Sequence, residues 1–370
     1  MKKRALGRTG LKTSLIGFGG FHLVETPMSE ADHLLNAYLD AGGNYIETAA
    51  DYGTGLSERK IGRAVSSRRR EFILASKCSR RIFKEAEQSI NQSLENLRTD
   101  HLDILFIHAV QSVDEADTVT APGGAMEAVQ KAKKDGKVRF IGISGHGKPD
   151  ALLHAIRNHP YDVLLTGFNV LDRFNFPETE DILLKECLER GIGVIGMKAL
   201  ADGYLYRSPG QAIRYALSLP ISVLVLGINR GEYLRTDLKI AESFKPMSDA
   251  EKETLFKDAE ELGTYVCRQC GRCDGIMEVN PSEIFLLEGE FDRQMDDGAV
   301  PDPAQYALRE RLKHWFMQKD SAVQKYRART NPVDTEKDYS GLNSKCPYAI
   351  DIDRKLKRVH AKLTSDGFIF

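Results

Sequence analysis

The sequence predicts a (β/α)₈ barrel, a TIM barrel, followed by a small, mostly α-helical module. Two observations carry this. From residue 11 to about residue 262, short Val/Ile/Leu-rich runs alternate with amphipathic stretches in eight strand–helix units. Near-continuous apolar runs are what strands buried on both faces of a parallel sheet require, and eight such units over roughly 250 residues make a closed barrel. Beyond Glu260 the alternation stops and a tight cysteine turn, CRQCGRC, opens a charged, helix-prone segment. The expected division is 1–262 for the barrel and 263–370 for the module.

The units read in order. SLIGFGG gives the first strand and Ser29–Asp40 its helix, striped by Leu34, Leu35, Tyr38 and Leu39. NYIETA precedes SERKIGRAV, EFILASK precedes EAEQSINQSLENL, and LDILFIHA leads to GAMEAVQKAKKDG, closed by Gly136 as a helix stop. VRFIGISG, DVLLTGFNV, GVIGMKAL and SVLVLGIN complete the strands, each with a helical partner. A doubly wound open sheet is the alternative, but GFGGF only partly resembles its glycine fingerprint.

Composition excludes several classes. Of the 370 residues, 42% are hydrophobic and 28% charged, and a net charge of −1 gives no reason to expect nucleic acid or a membrane surface as partner. No apolar run reaches the ~20 residues that span a bilayer. Six cysteines, three of them within seven residues, do not read as a disulfide framework, so a reducing cytoplasm is expected. Cys78 and Cys187 are expected to be small buried hydrophobes. Arg68, Arg69 and Arg70 read as a solvated helix end with no acidic partner in view.

Four residues at successive strand ends carry the chemistry: Glu47, Tyr52, Lys77 and His108. Catalytic groups of such barrels collect there. An adjacent ammonium favours phenolate, so Lys77 is expected to make Tyr52 a better acid. Glu47 would hold Lys77, and His108 would orient the substrate oxygen.

With RALGRTGLKTSLIGFGG, NYIETAADYGTGLSERKIG, SKC, DILFIHA, GISGHG, GFNVLDR, GVIGMKAL and VLGINRGEYLRTDL in order, residues 3–245 resemble the aldo-keto reductases. That resemblance implies reversible reduction of an aldehyde or ketone by a nicotinamide cofactor, with Tyr52 as proton donor. Glu47 stands where the family has Asp, with about 1.5 Å more reach. The cofactor residues it implies are Ser144, Asn169, Met197, Lys198, Leu200, Gly227, Asn229, Arg230 and Asp237. Gly145 replaces the Asn that usually follows the serine, and Asp237 replaces an adenine-contacting Asn. Arg230 favours NADPH over NADH through a 2′-phosphate. Tyr204 and Tyr206 are expected to line a pocket for a sugar-like substrate.

In the module, Cys267, Cys270 and Cys273 have C-x₂-C-x₂-C spacing, and Cys346-Pro347 supplies a fourth ligand in the ferredoxin manner. Met277, Glu336, Tyr339 and Leu342 occupy the positions of a lost second cluster. The module is thus expected to be ferredoxin-like with one [4Fe–4S] cluster, and an electron-transfer partner is then conceivable. A structural zinc and a metal-free turn are the alternatives. Two other functions stay open at this point: a nicotinamide-binding redox sensor or regulatory protein, and a non-redox sugar epimerase or lyase using transiently oxidised intermediates.

Overall fold

The computed structural model describes residues 1–296 and 303–365. Two short strands, β1 (Lys3–Ala5) and β2 (Lys12–Ser14), pair antiparallel as an N-terminal hairpin. Eight parallel strands follow: β3 (Ile16–Gly19), β4 (Tyr45–Glu47), β5 (Ile73–Cys78), β6 (Leu102–Ile107), β7 (Val138–Ser144), β8 (Val163–Gly167), β9 (Gly193–Met197) and β10 (Val223–Gly227). They close in the order β10-β3-β4-β5-β6-β7-β8-β9. This is the predicted barrel, and all eight predicted strands are present.

Register explains where polar side chains emerge. Glu47 lies opposite Ala75, and Lys77 opposite Phe106. Alternate residues of a strand share a face, so Tyr45 and Glu47 form one column, and Ile73, Ala75 and Lys77 the next. Tyr45, Ile73, Ala75, Ile104, Phe106, Val163, Leu165, Ile195, Val223 and Val225 belong to one buried apolar cluster. The apolar columns of β4 and β5 therefore each end, at their C-terminal side, in a charged residue.

The hairpin closes the opposite end. Leu6 is fully buried in the same cluster. The Arg4 guanidinium donates to the carbonyls of Ile221 and Leu217 at 2.8 and 2.9 Å. Gly7 has φ +49°, and a Cβ there would lie 2.3 Å from the Gly193 amide nitrogen, so both conformation and space demand glycine.

Two expectations change. A helix at Val113–Thr120, capped by Ser112, interrupts the long connection after β6. The arginine run is not merely solvated: Arg68 pairs with Asp40 and Glu71 at 2.8 and 2.7 Å, and Arg69 reaches Asp103 at 2.8 Å. Asp103 is buried on β6 and also takes Arg139 at 2.5 Å. Cys78 and Cys187 are buried thiols, as expected.

The chain gathers into two compact units: residues 1–168, 180–199 and 213–246, and residues 169–179, 200–212 and 247–370. The second carries helices Asp249–Asp258, Pro281–Asp292, Pro303–His314, Lys319–Arg327 and Ile352–Thr364. Its apolar core includes Phe285, Tyr326, Tyr339, Leu342, Leu356 and Val359, with Met277 packed against it. Within it Lys355 pairs with Glu288 at 2.8 Å, and Lys362 with Glu288 and Asp292 at 2.7 and 2.6 Å. Among the described residues no helix is long and apolar enough to cross a membrane.

Candidate active site

Glu47, Tyr52, Lys77 and His108 come together at the C-terminal ends of β4, β5 and β6. The Lys77 ammonium donates to Glu47 Oε1 at 2.6 Å, to the Thr48 carbonyl at 2.9 Å and to Tyr52 Oη at 3.2 Å. Only 1% of Lys77 and 5% of Glu47 side-chain surface is exposed, so the pair is shielded from solvent. Burial, the largest single influence, opposes the lysine's charge, but Glu47 and Tyr52 together outweigh it and hold Lys77 above its ordinary range. Burial first, and the Glu47 carboxylate next, push the buried Tyr45 hydroxyl two residues earlier well above its ordinary range.

The Tyr52 ring meets His108 edge-on at 5.9 Å between centroids, and Phe21 at 5.1 Å. Burial lowers the His108 pKa first, Lys77 adds to the effect, and Asp51 and Glu47 pull the other way. Its backbone carbonyl accepts from the Arg81 guanidinium at 2.6 Å. This arrangement sets a phenol beside a buried, paired ammonium and an imidazole.

Sequence reasoning passed over Asp51. Its Oδ2 faces His108 Nδ1 at 3.6 Å, and Arg80 approaches its other oxygen at 3.9 Å. Adjacency to Tyr52 was the only clue in the chain, since the pairing depends on how the β4 and β6 loops meet.

Of the residues implied for a cofactor, Ser144, Met197, Lys198, Gly227, Asn229, Arg230 and Asp237 belong to the first unit, and Asn169 and Leu200 to the second. The Ser144 hydroxyl accepts from the Ala109 amide at 3.0 Å and donates to the Ile107 carbonyl at 3.3 Å. Gly145 has a reason of its own: a Cβ there would stand 2.9 Å from the Val110 carbonyl and 3.0 Å from Leu152. The Asn169 amide bonds Asp172 in both directions, at 3.0 and 2.8 Å. Burial pushes the Asp237 carboxyl up to about 7.

The helix Gly231–Ser243 begins after β10 with Arg230 at its N-cap and no side chain capping it. Arg230 is 67% exposed and lies 3.5 Å from Glu232, while an Arg235 guanidinium nitrogen stands 3.3 Å from where a Gly231 Cβ would be. Uncapped amides and two guanidinium groups are a donor set that fits a phosphate.

Tyr204 departs from expectation. It is buried within the second unit, where the Gln305 amide donates to its hydroxyl at 3.4 Å, so it does not line an open pocket. Tyr206 is 41% exposed, under Arg207.

Among the described residues no three His, Cys, Asp or Glu side chains stand close enough together to hold one metal ion. Cys267, Cys270, Cys273 and Cys346 nevertheless line one pocket, with Arg268, Arg272, Lys345 and Tyr348.

The model of the aldo/keto reductase family matches residues 15–220. The chain belongs to the aldo/keto reductase family. It is 34% identical over 235 residues to L-galactose dehydrogenase of Arabidopsis thaliana, covering 55% of this chain and 66% of that protein. It is also 26% identical to D-threo-aldose 1-dehydrogenase of a Pseudomonas species, covering 57% of this chain and 73% of that one. The chain thus spans just under two thirds of the length of the first of these relatives. Among solved structures, the holo form of aldo-keto reductase AKR11C1 from Bacillus halodurans superposes with a TM-score of 0.60 at 24% identity, over 70% of this chain and 96% of that one. That likeness carries the barrel fold, and membership of the aldo/keto reductase family carries the oxidoreductase class.

Proposed function

We propose that this aldo/keto reductase interconverts a carbonyl and an alcohol on a sugar-like small molecule, using NADP(H) in preference to NAD(H), with Tyr52 as proton donor. The observation that supports this most is Lys77 Nζ within 2.6 Å of Glu47 and 3.2 Å of Tyr52 Oη. When bound, the nicotinamide supplies hydride chemistry at the carbonyl carbon. Tyr52 gives its proton to the oxygen as negative charge develops there. Lys77 stabilises the charge left on the phenol, and Glu47 keeps Lys77 in place without solvent to compete. His108 orients the reacting oxygen. Arg230, Asn229, Gly227 and the uncapped helix would receive the cofactor's phosphates. Ser144, Asn169, Met197, Lys198, Leu200 and Asp237 would hold its nicotinamide and adenine ends. The dehydrogenase names of two relatives, both for sugars, favour a polyhydroxylated substrate.

We further propose that residues 263–370 form a ferredoxin-like module in which Cys267, Cys270, Cys273 and Cys346 bind one [4Fe–4S] cluster. Four thiols lining one pocket, three in C-x₂-C-x₂-C spacing and the fourth followed by proline, suit such a cluster, whose thiolates each bind a different iron. The cationic lining of Arg268, Arg272 and Lys345 suits the net negative charge of a thiolate-ligated cluster. When bound, the cluster supplies one-electron chemistry, to an electron-transfer partner or not at all if it only cross-links the module. A reducing cytoplasm would preserve it.

The test is NADPH oxidation by anaerobically purified protein across aldehydes, ketones and sugars, with Tyr52→Phe in parallel. Turnover that collapses in the variant is expected. Unchanged turnover would sink the role given to Tyr52.

A further inference from the structure

Arg268 follows the first cysteine of the turn and lines the same pocket as Cys267, Cys270, Cys273 and Cys346. Only 6% of its surface is exposed. Its guanidinium donates to the carbonyls of Phe256 and Leu262 at 3.1 and 3.3 Å and to that of Val266, and it lies over the Tyr348 ring at 4.9 Å. Each of those acceptors is neutral, so the N–H groups are satisfied while the charge is not. Burial works against that charge, and the groups that favour it are Tyr348, Cys267 and Cys346, with no carboxylate among them.

A buried cation without an anion is strongly unfavourable. The other cations of this region are handled differently. Lys355 is also buried, and its ammonium donates to Gln294 Oε1, which accepts from the Cys267 amide, but Glu288 neutralises it at 2.8 Å. Arg272 and Lys345 line the pocket from exposed positions, where water and salt screen them. Of the three cations lining the pocket, Arg268 is the buried one, and no acid pairs with it among the described residues. Four thiolates around an iron–sulfur centre would supply the missing anion, with a net negative charge that grows by one on reduction.

We propose that Arg268 is the internal counter-ion of this cluster and raises its reduction potential, so that the module takes up an electron and works as more than a cross-link. This deepens the cluster reading above and rests on it. In the step itself one electron passes from a reduced one-electron carrier to the cluster's irons. No bond forms or breaks, and the guanidinium keeps its proton. The added negative charge is attracted by a cation from which water is excluded, so the reduced state gains more than the oxidised one.

The test is the cluster's midpoint potential, followed by electron paramagnetic resonance during an anaerobic titration with dithionite and redox mediators. Arg268→Gln removes the charge, whereas Arg268→Lys shortens the side chain and keeps it. We expect Arg268→Gln to weaken the reduction equilibrium tenfold or more, about 59 mV for one electron, and Arg268→Lys to stay close to wild type. Equal shifts in both variants would trace the effect to packing or water entry, and no shift in either would show that the charge is not felt. Both results overturn the proposal and leave the cluster reading standing.

Iron content is measured on the same samples. Wild-type protein without iron fails the cluster reading, and this proposal with it. If Arg268→Gln retains no cluster, the wild type decides. A buried counter-ion predicts a midpoint potential that holds steady as salt is raised. A potential that falls with salt gives the role to the exposed Arg272 and Lys345 and overturns the assignment to Arg268.

Discussion

Lys77 and Glu47, thirty residues apart in the chain, share a hydrogen-bonded ion pair of 2.6 Å from which solvent is almost wholly excluded. Glu47 pairs in register with Ala75 on β5, so its carboxylate meets the ammonium two residues further along that strand. Removing one partner of a buried pair leaves the other uncompensated. Glu47→Gln is expected to cost about 3–5 kcal/mol, read by urea denaturation. Lys77→Met is expected to lower kcat by about 10²–10⁴-fold while NADPH affinity, measured by fluorescence quenching, stays near wild type.

Asp237 makes stability depend on pH. Its folded value is raised to about 7 from an ordinary 3.8, with burial as the cause. Between those values the folded state holds a proton that the unfolded chain releases. The contribution is complete below pH ~4 and is lost as pH rises through about 7. Asp237→Asn removes that dependence. The difference in unfolding free energy between variant and wild type should shift in the variant's favour by on the order of 4 kcal/mol between pH 4 and pH 8. Parallel pH profiles for the two proteins would contradict this.

Arg230 is exposed and only loosely held by Glu232. It is free to turn toward an anion at the start of its helix. Arg230→Ala is expected to reduce the preference for NADPH over NADH on the order of tenfold, read as the ratio of the two dissociation constants. An equal loss for both cofactors would assign the arginine to the shared diphosphate.

Cys346 completes the thiol set from a part of the chain more than seventy residues beyond Cys273. Anaerobic protein is expected to carry about four irons per chain with broad visible absorption, and Cys346→Ala to lose most of both. Stoichiometric zinc in place of iron would return the pocket to a structural role.

The barrel was legible because its strands are continuous apolar runs, and such runs need no knowledge of their neighbours. Glu47, Tyr52, Lys77 and His108 were legible for the same reason: each lies at or shortly after the end of a run that announces itself. Contacts set by how loops converge were not. Asp51 could be matched to His108 only once β4 and β6 were placed, and Arg69 to Asp103 only once its helix end met β6. The Val113–Thr120 helix is short and acidic, with two buried residues, too few to print a stripe. Tyr204 looked like a pocket residue because an aromatic after a strand end often is, whereas its hydroxyl is tied down inside the second unit. Gly145 is the converse case, a departure from family pattern whose cause is a carbonyl 2.9 Å from where a side chain would begin.

The hairpin that closes the barrel floor imposes a timetable. Arg4 is anchored to carbonyls 213 and 217 residues later in the chain, and Gly7 nests against Gly193. At about 5–20 residues per second, synthesis of the intervening chain takes roughly ten to forty seconds. Throughout that interval the hairpin has no surface to dock on, and Leu6 waits in water. Residues made early find their place late, and contacts so distant in sequence make slow folding the expectation.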